Sequence, residues 1–478
     1  MRTGLAIALA FAAACGGGGH SATQDAGGTS DGDATHDAPP ASDARPPLDA
    51  PPAPTDEPAV PCTGSAGDVY ATTPSASAAH GAILACAVDS TLDEPTVQTG
   101  IGSAMTATTP VATFLVAYAT RGGDGSPAVT TARVYLPHVP RAYPVPLAVV
   151  GHGSVGIADG CVPSVAVDDN LPLPFAGRGF ATIAPDLAGL GNAGTQDYLD
   201  NRAQGWQLLD GARALRALLA PGATAPQFVL SGYSQGGGAA LSAQALARAD
   251  GSDLGQLVAT AVYAPEWPIR LNSFGYADIL NDPTQLTIAT GLSRSSIAVI
   301  REYSYFENWV GPGHGVDALP AQFRDAASAA IQDLCLVELG GYVQGQMLHT
   351  GDLIDDTLRQ GLVACIAGNG TGAACTGTAQ AFYDFMVANV VPPDPQAGPV
   401  LITQGLADQI MAPANEAACI DQELVGDGVD TSTCVLPFAD HSNIMDNHAL
   451  GETWLESIVD GGPRAQCDQT FALPACQP

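Results

Sequence analysis

The pentapeptide Gly232-Tyr233-Ser234-Gln235-Gly236 constrains this chain more than any other short stretch. The apolar run Phe228-Val229-Leu230 before it reads as a buried strand, and Gly236-Gly237-Gly238-Ala239-Ala240-Leu241 after it opens a helix. A G-x-S-x-G sequence at such a junction fits a nucleophile elbow. The serine then sits on a sharp strained turn, and small flanking residues let the helix approach the sheet closely. The same residues could form a glycine-rich turn without chemistry, so the motif needs partners elsewhere in the chain.

A serine hydroxyl is a poor nucleophile unless a base takes its proton and a carboxylate fixes the tautomer of that base. Both are expected downstream. The segment Val400 to Thr403 reads as a buried strand, and the turn after it ends in the carboxylate of Asp408, with Met411-Ala412-Pro413 behind. His441 follows the strand-like run Val435 to Phe438 and precedes a final helix around Leu450 to Ile458. Asp408 and His441 are the expected acid and base. Glu266, just after the strand-like run Val258 to Tyr263, is an alternative acid, and His448 an alternative base. Asp440 faces away from His441 if strand alternation persists. His314 reads as a surface or packing histidine.

Acyl transfer also requires donors aimed at the developing oxyanion. The backbone N–H of Gln235, the residue after the nucleophile, is one. The segment Val149-Val150-Gly151-His152-Gly153-Ser154 should supply the second, with Ser154 as the donor and His152 ordering the loop.

Around the elbow, short apolar runs alternate with helical ones. Thr113 to Tyr118 and Thr131 to Leu136 flank a Gly-rich turn, followed by Leu147 to Val150, Ala181 to Ala184 and the runs already named. Helical patterns cover Arg202 to Leu219 and Ala239 to Ala249. This order implies a mostly parallel sheet with helices on both faces. Between 267 and 398 the strand signals give way to helix-like stretches, Leu319 to Leu336, Leu353 to Ala367 and Ala379 to Val390, which read as an inserted helical cap.

At 478 residues the chain exceeds what a single core of roughly 250 to 300 residues holds. Residues 1 to 14 read as an export signal, with Arg2, the apolar stretch Leu5 to Phe11 and small residues Ala12-Ala13-Ala14 directly before Cys15. That arrangement resembles a bacterial lipobox, in which the cysteine is acylated, although cleavage without lipidation is the other reading. Of the 11 cysteines, setting Cys15 aside leaves an even number for disulfides in an oxidising compartment. Residues 15 to 61, rich in Asp, Ala and Pro, read as an extended tether to a catalytic domain over 62 to 478. The net charge is −32, and every one of the 16 cationic side chains is Arg. Such a field repels polyanions, so nucleic acid is not an expected partner. No phosphate loop, dinucleotide fingerprint or metal-ligand spacing is present, so neither cofactor nor metal is expected.

The chain resembles the secretory lipase family of extracellular α/β-hydrolases. The likeness rests on His152-Gly153-Ser154-Val155-Gly156 running into Cys161-Val162-Pro163-Ser164, on Pro185-Asp186-Leu187-Ala188-Gly189-Leu190-Gly191 with Tyr198-Leu199 and Asp210-Gly211-Ala212-Arg213-Ala214, and on the set Ser234, Asp408 and His441. The resemblance implies an α/β-hydrolase fold with a helical cap over an acyl-binding pocket, and a Cys161–Cys335 disulfide. Proximity in sequence suggests Cys62–Cys86, Cys365–Cys375 and Cys467–Cys476, with Cys419 joining Cys434 or Cys467. The expected activity is carboxylic ester hydrolysis on an ester or lipid substrate, at a membrane reached through the Cys15 anchor. An acyltransferase or peptidase on the same fold, or a surface binding domain with an inactive site, are the alternatives.

Overall fold

The computed structural model describes residues 56–166, 170–267, 276–467 and 471–477. The signal-like segment, Cys15 and the tether as far as residue 55 lie outside the described residues. Nine strands form one sheet: β1 (Ile83–Leu92), β2 (Val111–Arg121), β3 (Pro127–Pro137), β4 (Val145–Gly151), β5 (Ala181–Pro185), β6 (Thr224–Tyr233), β7 (Gln256–Tyr263), β8 (Val400–Gly405) and β9 (Thr431–Leu436). Their order is β1-β2-β3-β5-β4-β6-β7-β8-β9. The β1–β2, β2–β3 and β3–β5 pairs are antiparallel, and all pairs from β5 through β9 are parallel.

The central strands are apolar on both faces because helices cover both. Leu147 and Val149 of β4, with Phe228 and Leu230 of β6, meet Leu208, Leu209, Ala212 and Leu215 of the helix Asn201–Leu218 and Ala239, Ala240 and Ala243 of the helix Gln235–Asp250. The alternate residues Ala148, Val150 and Val229 meet Trp454 and Leu455 of the helix Ala449–Val459. The pleat sorts successive residues to opposite layers.

Edges are where sequence and structure part. Strand β1, which the sequence reading does not place, opens with the apolar run Ile83 to Val88 and passes into Asp89, Ser90 and Thr91, polar residues that an edge strand with one open side tolerates. At the other edge β9 ends at Leu436, not at Phe438, whose side chain is 89% exposed in the turn beyond. The packed body also begins upstream of Cys62. The Ala59 N–H donates to the Leu218 carbonyl at 2.8 Å, and Val60 packs on the main core.

Between β7 and β8 the described residues carry the helices Tyr276–Asn281, Leu292–Tyr305, Arg324–Asp333, Leu336–Gln346, Asp356–Ala367 and Gly377–Asn389. They share a core of Val299, Ile300, Ile331, Val343, Leu362 and Phe382 that extends to Leu436 at the end of β9, to Tyr198 and Met411 in the connections between the strands and to Ile444 beyond β9. The stretch Leu319 to Leu336 is not one helix. Leu319 is extended ahead of Pro320, whose ring disfavours a helical preceding residue. At the other end the helix stops at Leu334, and Leu336 donates its N–H to Val155 at 2.8 Å.

Five disulfides join Cys62–Cys86, Cys161–Cys335, Cys365–Cys375, Cys419–Cys476 and Cys434–Cys467. The expected Cys467–Cys476 pair is replaced, and Cys419 joins neither Cys434 nor Cys467. The C-terminal segment runs back along the helix Ala417–Gly426, where Gln477 N–H donates to Ala414 at 2.8 Å, and this carries Cys476 to Cys419.

Candidate active site

Strand β6 ends at Tyr233 and the next helix begins at Gln235, which leaves one residue for the turn. That residue is Ser234, with φ 54° and ψ −119°. A side chain held at positive φ is strained and persists where its surroundings over-determine it. Here the Ser234 N–H donates to the Tyr263 carbonyl at 3.0 Å, and the Ser234 carbonyl accepts from Gly237, Gly238 and Glu266. The flanking glycines are steric requirements. A Cβ on Gly236 would lie 2.2 Å from the Gly151 carbonyl carbon, and one on Gly232 would lie 2.1 Å from the Gly236 oxygen. The elbow thus needs glycine where β4, β6 and the helix converge.

The Ser234 hydroxyl lies 2.9 Å from His441 Nε2, and His441 Nδ1 lies 2.8 Å from Asp408 Oδ2. All three residues are buried. A carboxylate only accepts hydrogen bonds, so Nδ1 carries the hydrogen and Nε2 of the neutral ring faces the hydroxyl as an acceptor. Asp408 is itself held: Oδ1 accepts from the Ile410 and Met411 N–H groups at 2.9 and 2.8 Å, and Gln404 Nε2 donates to Oδ2 at 3.3 Å. His441 is held through its backbone and its ring. The Tyr233 hydroxyl donates to its carbonyl at 2.7 Å, and the two rings lie 5.0 Å apart.

The rival residues stand elsewhere. Glu266 is wholly buried behind the elbow, where Asn201 Nδ2 donates to its carboxylate at 2.9 Å. Burial pushes its carboxyl up to about 7, against the opposing pull of Asn201 and Arg301. His448 pairs with Glu452 at 3.0 Å and His314 with Asp317 at 2.8 Å. Asp440 accepts the N–H groups of Ser442 and Asn443.

His152 lies beside the elbow without touching Ser234. Its Nδ1 is 2.6 Å from the Gly153 carbonyl and its Nε2 is 3.0 Å from the Asp186 carbonyl. In a trans peptide the carbonyl and the next N–H point opposite ways. Drawing the Gly153 oxygen to the imidazole therefore turns the Ser154 N–H away from His152. A Cβ built on Gly153 would lie 3.8 Å from Ser234 Cβ, so this loop borders Ser234. The Asp186 side chain anchors the far end, accepting from Thr131, Ser164 N–H and the Ser164 hydroxyl. Gln235, first in its helix, has its backbone N–H at the helix N-terminus, where no earlier turn can accept it.

Sequence reasoning missed Gln404 and the backbone-holding role of Tyr233. Neither has a motif of its own, since each acts on a partner set by the fold.

The sheet order, with the strained Ser234 after β6, Asp408 after β8 and His441 after β9, defines an α/β-hydrolase fold. Solved structures agree with it. The rice cell wall degrading esterase LipA from Xanthomonas oryzae superposes with a TM-score of 0.56 at 19% identity, over 80% of this chain and 97% of that one. Candida antarctica lipase A superposes at 0.60 and 17% identity, over 85% and 89%. No family model matches the sequence, and no curated protein sequence does.

Proposed function

We propose that this protein is a carboxylic ester hydrolase of the secretory lipase type, working through an acyl-enzyme on Ser234. The observation that carries the reading is the continuous relay from Ser234 Oγ to His441 Nε2 and from His441 Nδ1 to Asp408, set at a strained elbow. His441 takes the serine proton as Ser234 Oγ attacks the ester carbonyl, and the imidazolium then protonates the leaving alcohol. Water repeats the sequence on the acyl-enzyme. The N–H groups of Gln235 and Ser154 receive the oxyanion. Similarity to an esterase and a lipase supports the choice of ester over amide. The helical segment between β7 and β8 is the cap over the acyl pocket, and short to medium acyl chains are the favoured substrates. Rates across p-nitrophenyl esters from acetate to palmitate, beside a peptide amide, test this. Ester cleavage that peaks at short to medium chains supports the reading, and cleavage confined to the amide overturns it.

We also infer export and anchoring through an acylated Cys15, a reading supported by the five disulfides and the small residues before that cysteine. Stable anchoring takes more than one acyl chain, so the intact protein should partition into detergent and Cys15→Ser should be released as soluble, active enzyme. An unmodified Cys15 at the N-terminus of enzyme free in the medium would overturn it.

A further inference from the structure

We propose that the Ser154 hydroxyl is a side-chain donor to the oxyanion, additional to the two backbone N–H groups, and that Tyr198 is the positioning residue that turns it there. The inference rests on the ester-hydrolase reading of the site and assigns two side chains within it.

The Tyr198 hydroxyl donates to Ser154 Oγ at 2.7 Å. A serine hydroxyl has one hydrogen and two lone pairs, so an oxygen that accepts from a phenol keeps its own hydrogen for another acceptor. Among the described residues Ser154 Oγ has no second hydrogen-bond partner. That hydrogen is therefore uncommitted in a loop whose Gly153 borders Ser234 Cβ. Ser154 is only half-buried, while the phenol behind it is almost wholly enclosed. Burial raises the titration of Tyr198 far above the ordinary phenol range, which keeps it in its donating form.

Tyr198 is held as firmly as a positioning group needs to be. Its N–H donates to Ser304 Oγ at 3.0 Å, and Ser304 Oγ donates to Gln196 at 2.5 Å. Leu199 after it adopts φ 59°, a left-handed conformation rare for a leucine, and Asn389 Nδ2 holds its carbonyl at 2.8 Å. Ser304 belongs to the helix Leu292–Tyr305 and Asn389 to the helix Gly377–Asn389, so both fix the phenol from the segment between β7 and β8. A backbone outlier that neighbours hold in place next to a reacting centre marks a site whose geometry matters.

As Ser234 Oγ bonds to the ester carbon, the carbonyl π electrons move onto oxygen. A hydroxyl whose oxygen already accepts from Tyr198 can turn its own hydrogen to that charge without losing another bond. Removal of one such donor slows the chemical step on the order of 10²-fold and leaves substrate binding nearly unchanged.

The test is a double-mutant cycle on p-nitrophenyl ester hydrolysis with Ser154→Ala, Tyr198→Phe and the pair. Ser154→Ala should lower kcat on the order of 10²-fold with KM changed less than about twofold. Tyr198→Phe keeps the ring and its packing and should lower kcat less. The double variant should be no slower than Ser154→Ala, and Ser154→Thr should keep most of the rate. Independent, multiplying losses in the double variant, a Ser154→Ala defect seen only in KM, or unchanged kcat overturns the proposal. Fluorophosphonate labelling separates the two claims. Wild-type enzyme that takes no label on Ser234 refutes the hydrolase reading, whereas labelled variants with unchanged turnover refute this assignment alone.

Discussion

The phenol of Tyr233 donates its hydrogen to the backbone carbonyl of His441 at 2.7 Å, tying the residue before the serine to the histidine 208 positions later. The elbow thereby fixes the backbone of His441 while Asp408 fixes its imidazole through Nδ1. Tyr233→Phe keeps the ring against His441 and deletes only this bond. Because small misplacements of a base are costly, kcat should fall by about tenfold with KM little changed. Steady-state kinetics check it, and a rate equal to wild type contradicts the positioning role.

Asp408→Asn replaces an acceptor with an amide that can present its N–H to Nδ1 and select the wrong tautomer. Turnover should fall on the order of 10⁴-fold. Glu266→Gln should cost far less, since Glu266 bonds Asn201 behind the elbow. The ranking of the two kcat/KM values decides the acid, and a larger loss at Glu266 reverses the assignment.

Stability should depend on pH through buried carboxyls whose titration burial raises despite the opposing pull of Arg301 on Glu266 and of Arg202 on Asp200. Burial pushes Glu266 to about 7 and Asp200 to about 6. A carboxyl raised on folding binds its proton more tightly in the folded chain than in the unfolded one. The stabilisation is complete below the ordinary carboxylate value of about 4 and is lost as pH rises through about 6 to 7. Each group contributes a slope of at most about 1.4 kcal/mol per pH unit in that window. Melting temperatures from pH 4 to 8 should fall towards the alkaline side, and Glu266→Gln should flatten the fall. An unchanged slope in that variant contradicts the assignment.

The Cys161–Cys335 bridge spans 174 positions and joins the loop beyond Ser154 to the segment whose Leu336 N–H donates to Val155. On the chain-entropy account a loop of that length stabilises by about 5 kcal/mol, and measured bridges often give less. Replacing both cysteines by serine should lower the urea-unfolding free energy by about 2 to 5 kcal/mol. A loss below about 1 kcal/mol would contradict the constraint, with the wild-type bridge verified by peptide mapping.

What was legible in the sequence follows from which forces are local. Strands β4, β6, β7 and β8 announce themselves because burial on both faces requires unbroken apolar runs such as Leu147 to Val150 and Phe228 to Leu230. Ser234 is legible because its turn demands Gly232 and Gly236. Edge strand β1 is less legible because half of its apolar run, Ile83 to Val88, is small Ala and Cys and the strand then turns polar from Asp89 to Thr91, and the break at Leu334 depends on a bond to Val155 that no local pattern encodes. The same holds for Tyr198 and Gln404, ordinary polar residues until the fold brings Ser154 and Asp408 to them. Cys419 and Cys476 stand apart in sequence and meet only because the C-terminal segment returns to one helix.

The most direct test is covalent. Wild-type protein treated with a fluorophosphonate, digested and mapped by mass spectrometry should carry one adduct, on the peptide holding Ser234. Ser234→Ala should take no label and should lose on the order of 10⁶-fold in ester turnover while keeping its melting temperature. An adduct on another residue, or ester hydrolysis that survives Ser234→Ala, would contradict the account.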